Sequence, residues 1–126
     1  MNKINMLKIT CGAQAAYYIL TGLWPIIHID SFEVVTGPKV DDWLVKTVGV
    51  LVIAIGLPLI FALIRKMITL ELAILAVSAA VGLAAIDIYY SFNGIISPIY
   101  LADAAVQIGI AGIWVICFKE EKQLIQ

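Results

Sequence analysis

The sequence predicts an all-α integral membrane protein, a four-helix transmembrane bundle forming one domain over residues 1–126 with both termini in the cytoplasm. Three observations carry that expectation. Apolar residues make up 63% of the chain and charged ones 13%, against roughly 25% charged in an average soluble domain. Four apolar stretches each reach the roughly 20 residues that a helix needs to cross hydrocarbon. Six of the eight basic residues, Lys3, Lys8, Arg65, Lys66, Lys119 and Lys122, fall on one side of those stretches, and the positive-inside rule makes that side the cytoplasm. The net charge of −1 argues against a nucleic-acid partner, which requires a basic face.

The first span is expected over residues 9–28. Residues 1–8 look like a short basic leader, but the Ala13-Gln14-Ala15 site would leave almost no apolar segment before it, so the helix is expected to be retained. Gln14, Tyr17, Tyr18, Thr21, Trp24, Pro25 and His28 recur at three, four and seven residues, a polar and aromatic stripe that marks one face as inward-looking. His28 is the sole histidine and lies close to Asp30; as a lone imidazole near a membrane surface it reads as an interfacial residue, with acid–base work as the alternative.

Residues 28–42 form the longest loop. Asp30 and Glu33 have the spacing of a capping box, so a short interfacial helix carrying Phe32, Val34 and Val35 is expected there. Thr36-Gly37-Pro38-Lys39 turns the chain back. The segment lacks the paired glycines of a phosphate loop and reads as a cap over the end of the bundle.

The second span is expected over 43–63, with Asp41 or Asp42 as its cap, the third over 68–90 and the fourth over 98–118. Asn93-Gly94 marks the turn before the fourth, and Ser97-Pro98 is a helix-start signal because proline at the first position loses no useful N–H. Lys46, Asp87, Asp103 and Gln107 all fall in the half of the bundle away from the termini. Asp103 and Gln107 share a face at i, i+4. A charge inside a span costs about 2.5–3.5 kcal/mol at its centre, so such groups seek partners. Lys46 paired with Asp87 or Asp103 is the expectation, with snorkelling of Lys46 to the headgroups as the alternative. Glu71 is expected near a helix start or beside Arg65 or Lys66.

Small residues recur on each helix: Gly12 and Ala16, Gly49 and Gly56, Ser78 and Gly82, Ala105 and Gly109. In lipid such residues let helices approach closely, and packing within one chain is the expected use, with a homodimer compatible. Cys11 and Cys117 lie near the cytoplasmic ends of their helices and read as small packing residues. Scattered carboxylates with a single histidine give no metal-ligand spacing, and no cofactor motif is present.

Trp24-Pro25, His28, Ser31-Phe32-Glu33, Val35-Thr36-Gly37-Pro38-Lys39, Asp42-Trp43-Leu44-Val45 and Thr47-Val48-Gly49 together resemble a segment of a group of small bacterial membrane proteins with four predicted helices. The resemblance implies a cytoplasmic (inner) membrane location in a bacterium and no activity. In size and topology alone the chain is also similar to DoxX-like and EXPERA-type four-helix proteins.

The expected function is non-enzymatic: a bundle holding a lipid or other hydrophobic small molecule in its outer half. Gln14, Tyr17, Tyr18, Trp24, His28, Lys46, Asp87, Asp103 and Gln107 are the candidate pocket residues. The alternatives are an accessory subunit with a membrane-protein partner and a small membrane enzyme of sterol-isomerase-like architecture. Export by proton-coupled four-helix transporters relies on a carboxylate midway along the first helix, where this chain has Gln14.

Overall fold

The computed structural model describes residues 2–125, with side chains through Phe118. Five helices run through the described residues: α1 (Lys3–Ile27), α2 (Ile29–Thr36), α3 (Asp42–Arg65), α4 (Leu70–Phe92) and α5 (Ile99–Ile125). Three of them, α3, α4 and α5 through Phe118, are long and apolar enough to cross a membrane. α1 has 25 residues, enough for roughly 37 Å at the helical rise, but is more polar. It begins six residues before the expected span because Asn2 caps it, the Asn2 side chain accepting from the Asn5 N–H at 2.8 Å.

Helix ends follow local chemistry. Thr69 caps α4 through the Leu72 N–H at 3.2 Å, leaving Glu71 exposed in the first turn, where a carboxylate suits the helix dipole. Asp41 precedes α3 but makes no side-chain capping bond. Ser97 Oγ accepts from the Ile99 N–H at 3.3 Å as α5 opens. Gly94 takes a φ of 72° in the preceding turn, a conformation that favours glycine. The expected capping box at Asp30 is not the device that starts α2. His28 does this instead, its Nδ1 accepting from the Ser31 N–H at 3.1 Å.

α1 packs against α3 and α5, α5 packs against α4, and α3 and α4 share little contact. The buried residues of α1, Leu7, Thr10, Cys11, Gln14, Ala15, Tyr18, Gly22 and Pro25, hold a 3.6-residue period along the whole helix. The α1–α3 contact depends on glycine. A Cβ built on Gly22 would lie 2.5 Å from the Gly49 carbonyl oxygen, and one on Gly49 would lie 2.5 Å from that of Gly22. A Cβ on Gly56 would lie 2.9 Å from Ile19 Cγ1 and 3.2 Å from the Ala15 carbonyl oxygen. Since Gly22 meets Gly49 while Gly12 meets Leu63, the two helices are antiparallel.

On α4 and α5 the small residues serve differently. Ala73, Ala76, Ala80 and Ala84 form the buried stripe of α4, and Ala104 and Ala111 are buried on α5. Ser78, Gly82, Ala105 and Gly109 are exposed, and a Cβ on either glycine would meet nothing. The expectation that these four pack within the chain is therefore corrected: alanine supplies the close approach there.

The hydrophobic core occupies the end of the bundle that holds the start of α1. Leu7, Cys11 and Ala15 meet Leu59, Ala73, Ala76 and Ala80 of α4, and Ile110, Trp114 and Cys117. Both cysteines are free and buried in this core. Lys119 and Lys122, counted above for orientation, have side chains outside the described residues.

Candidate functional site

At the other end of the bundle the helices line a half-open cavity of about 640 Å³, its wall residues Val48, Ile86 and Val106 exposed. α1 supplies Tyr17, Tyr18, Thr21, Trp24 and Pro25. α3 supplies Val45, Val48, Gly49 and Val52, facing Leu83, Ile86 and Asp87 of α4 and Tyr100, Asp103, Val106 and Gln107 of α5. Phe32, Val35 and Thr36 of α2, with Lys39, complete the lining. The expected cap over the bundle end is thus formed by α2 and the turn that follows it. Because α3 and α4 provide opposite walls and touch little, their separation gives the cavity its width.

The polar groups form two layers. The deeper one separates cavity from core. Gln14 is fully buried; its Oε1 accepts from Trp114 Nε1 at 2.7 Å and its Nε2 donates to the Ala76 carbonyl at 3.1 Å. Beside it the Tyr18 hydroxyl donates to Gln107 Oε1 at 2.7 Å, again out of contact with solvent. Gln14 therefore ties α1 to both α4 and α5, and it is a structural residue beneath the cavity rather than part of its wall.

The second layer faces the cavity. The Tyr17 hydroxyl donates to Asp103 Oδ1, and Asp87 interacts directly with Asp103. Asp87 is 6% exposed, and its Oδ2 is buried with no hydrogen-bond partner. One turn up α1, Pro25 has no N–H to offer the Thr21 carbonyl. The Trp24 indole donates to Ser31 Oγ at 2.9 Å and stacks edge-on against Phe32, with ring centroids 5.4 Å apart. Thus α2 is held to α1 through one aromatic pair and one hydrogen bond.

Lys39 spans the mouth. Its Nζ donates to the Gly37 carbonyl at 2.8 Å, the Thr36 carbonyl at 3.1 Å and Thr36 Oγ1 at 3.2 Å. It lies 5.3 Å from the Tyr100 ring centre and 5.8 Å from that of Phe32, within cation–π range. Outside the bundle, Glu33 faces Asp42. The neighbouring Asp42 carboxyl, followed by partial burial, pushes the Glu33 carboxyl above its ordinary range, while the Lys39 backbone N–H and charge pull the other way.

Of the nine residues expected from sequence, Tyr17, Tyr18, Trp24, Asp87, Asp103 and Gln107 line the cavity together. Gln14 sits beneath it. His28 is exposed and engaged in capping α2. Lys46 is exposed on α3 and outside the lining, so the expected ion pair with Asp87 or Asp103 is replaced by the Tyr17–Asp103 hydrogen bond and the contact between the two aspartates. The geometric reason is angular: Lys46 lies about 100° round the helix from Val45, which faces the cavity. Tyr100, Trp114 and Lys39 are additions. The first two were signalled by spacing, since Tyr100, Asp103, Gln107 and Trp114 follow one another at three, four and seven residues. Among the described residues no cluster of metal-ligating side chains occurs. The chain matches no family model, no curated protein and no solved structure.

Proposed function

We propose that the chain is a four-span protein of the bacterial cytoplasmic membrane, with α1 as the fourth span and both termini in the cytoplasm, that binds a lipid or other small amphiphile without turning it over. The observation that carries this reading is the cavity: its volume of about 640 Å³ falls in the range of small-molecule sites, and its lining combines apolar walls with a few convergent polar groups. α1 fits a span that is polar on the side facing its neighbours. Its stripe of Gln14, Tyr17 and Tyr18 is turned to α4 and α5, while Ile9 and Leu20 are exposed.

Native mass spectrometry of gently extracted protein tests the reading. A bound species of amphiphile mass is expected on the wild type and is expected to be lost from Val52→Phe, which fills the cavity from α3. A wild type that is bare in every preparation contradicts the proposal.

A second reading, an accessory subunit or homodimer, is favoured by the exposed faces bearing Gly82, Gly109 and Gly112, which leave open space at the helix surface. Helices approach closely at such faces in lipid. Cysteine cross-linking at Gly109 against a neighbouring chain tests it, with an absence of cross-linked species in membranes as the contrary result.

A further inference from the structure

Hydrogen-bond accounting at the cavity points to the chemistry of its occupant. Tyr17, Tyr18 and Trp24 donate within the protein, to Asp103, Gln107 and Ser31. Lys39 has three N–H groups and three acceptors, on Thr36 and Gly37. Among the charged groups of the lining, the one with an unpartnered atom is an acceptor. Asp87, more than nine-tenths buried, leaves Oδ2 unpartnered in the wall, and a buried acceptor without a donor is costly enough that native structures rarely keep one.

The charge balance and the walls agree with that unpartnered acceptor. Two carboxyl groups line the cavity against a single basic residue, Lys39, which is already held by carbonyls and ring faces. Lys46 is outside the lining and compensates neither aspartate. Tyr17, Tyr18 and Tyr100 supply aromatic surface beside the carboxyls, and ring faces attract a cation that has been removed from water. An anionic head group would meet two carboxyls, with the one lysine of the lining already engaged.

Resting on the binding function proposed above, we infer that the cavity takes a cationic amphiphile of the aliphatic amine class. Its ammonium head donates to Asp87 and Asp103, and its tail lies along Val45, Val48 and Val52 of α3. Three eight-carbon probes differing only in head group test this: octylamine, octan-1-ol and octanoate, titrated against the protein in one detergent with thermal unfolding as readout. Octylamine should half-saturate the wild type at a concentration about tenfold or more below octanol, the factor expected of a charge-assisted hydrogen bond, and octanoate should bind weakest. Asp87→Asn should respond to octylamine and octanol alike while keeping its octanol response.

Equal potency of octylamine and octanol on the wild type overturns the inference and leaves the binding pocket standing. So does an amine preference that survives Asp87→Asn. Should that variant fail to fold, Asp103→Asn, which keeps an oxygen for the Tyr17 hydroxyl, serves the same purpose: loss of the preference supports the inference and its retention overturns it. If no probe shifts unfolding and Val52→Phe is indistinguishable from wild type, the pocket itself is refuted.

Discussion

Two halves of one bundle, built from the same four long helices, solve the problem of polar side chains in opposite ways. Toward the start of α1, Trp114, Cys117, Leu59 and the alanines of α4 fill the space between helices, and the polar Gln14 is satisfied on both its oxygen and its nitrogen. Toward α2, α3 and α4 part while Gly22 keeps α1 on α3, the walls are valine, leucine and aromatic rings, and Asp87 keeps an unpartnered oxygen. Little hydrophobic force drives helices together in lipid, so close packing and hydrogen bonds decide where they meet. Both halves have them, Gly22 against Gly49 and Tyr17 to Asp103 in the open one; the difference is that one end is filled by Trp114 and alanines, while at the other α3 and α4 stand apart.

The largest effect should come from opening the packed half. Trp114 is fully buried and donates to Gln14, so Trp114→Ala removes the largest core side chain and strips an acceptor of its donor. A loss of about 3–5 kcal/mol is expected, read as a fall in thermal stability in a fixed detergent. A loss below about 1 kcal/mol would mean that the core is already loose and the contrast between halves is false.

Gly49→Ala comes next. Its new Cβ would meet the Gly22 carbonyl at 2.5 Å, backbone that yields only by moving α3 away from α1, and overpacking of this kind costs about 1–3 kcal/mol. Gly109→Ala is the matched control. It meets nothing within 4 Å, so the two substitutions should separate clearly in the same unfolding assay.

A smaller effect is expected at Lys46. Since its side chain is exposed and outside the cavity, Lys46→Met should change stability by less than about 0.5 kcal/mol and add strictly to Asp87→Asn. A coupling of 1 kcal/mol or more in that double-mutant cycle would restore an ion pair between them and redraw the electrostatics of the open half.

The smallest belongs to Glu33. Its carboxyl is raised by the facing Asp42, so the folded state holds the Glu33 proton more tightly than the unfolded chain does. That contribution to stability is present at low pH and is lost as pH rises through the raised value. Glu33→Gln should therefore stabilise the protein at neutral pH, with the advantage vanishing below the ordinary carboxylate range. An advantage that is constant with pH would assign the effect to packing rather than to charge.

How far these features were legible in the sequence depended on the kind of signal. Helix existence and the inward face of α1 were legible because polar residues repeating at 3.6 in an apolar background have one side to go to. Tyr17 and Tyr18 followed from that, and Asp103 and Gln107 from their i, i+4 spacing on α5. Lys46 did not, because depth along a helix leaves the direction of the side chain open, and its neighbour Val45 took the inward position. The packing faces of α4 and α5 were concealed by composition: in a helix apolar all round, Ser78 and Gly82 read as well as Ala76 and Ala80. Asp87 held the missing direction, since Ala84, Ala80, Ala76 and Ala73 lie behind it at three- and four-residue steps. His28 as the cap of α2 was hidden for a different reason, because an imidazole accepting a backbone N–H has no strong sequence signature.

An experimental structure of the protein in lipid nanodiscs tests the contrast between the halves most directly. The account predicts α3 and α4 held apart at the α2 end, with elongated density running from Asp87 and Asp103 along Val48 and Val52 and with Trp114 enclosed below it. A structure in which α3 closes onto α4, so that the valines meet Leu83 and Ile86 and no cavity remains, would contradict it.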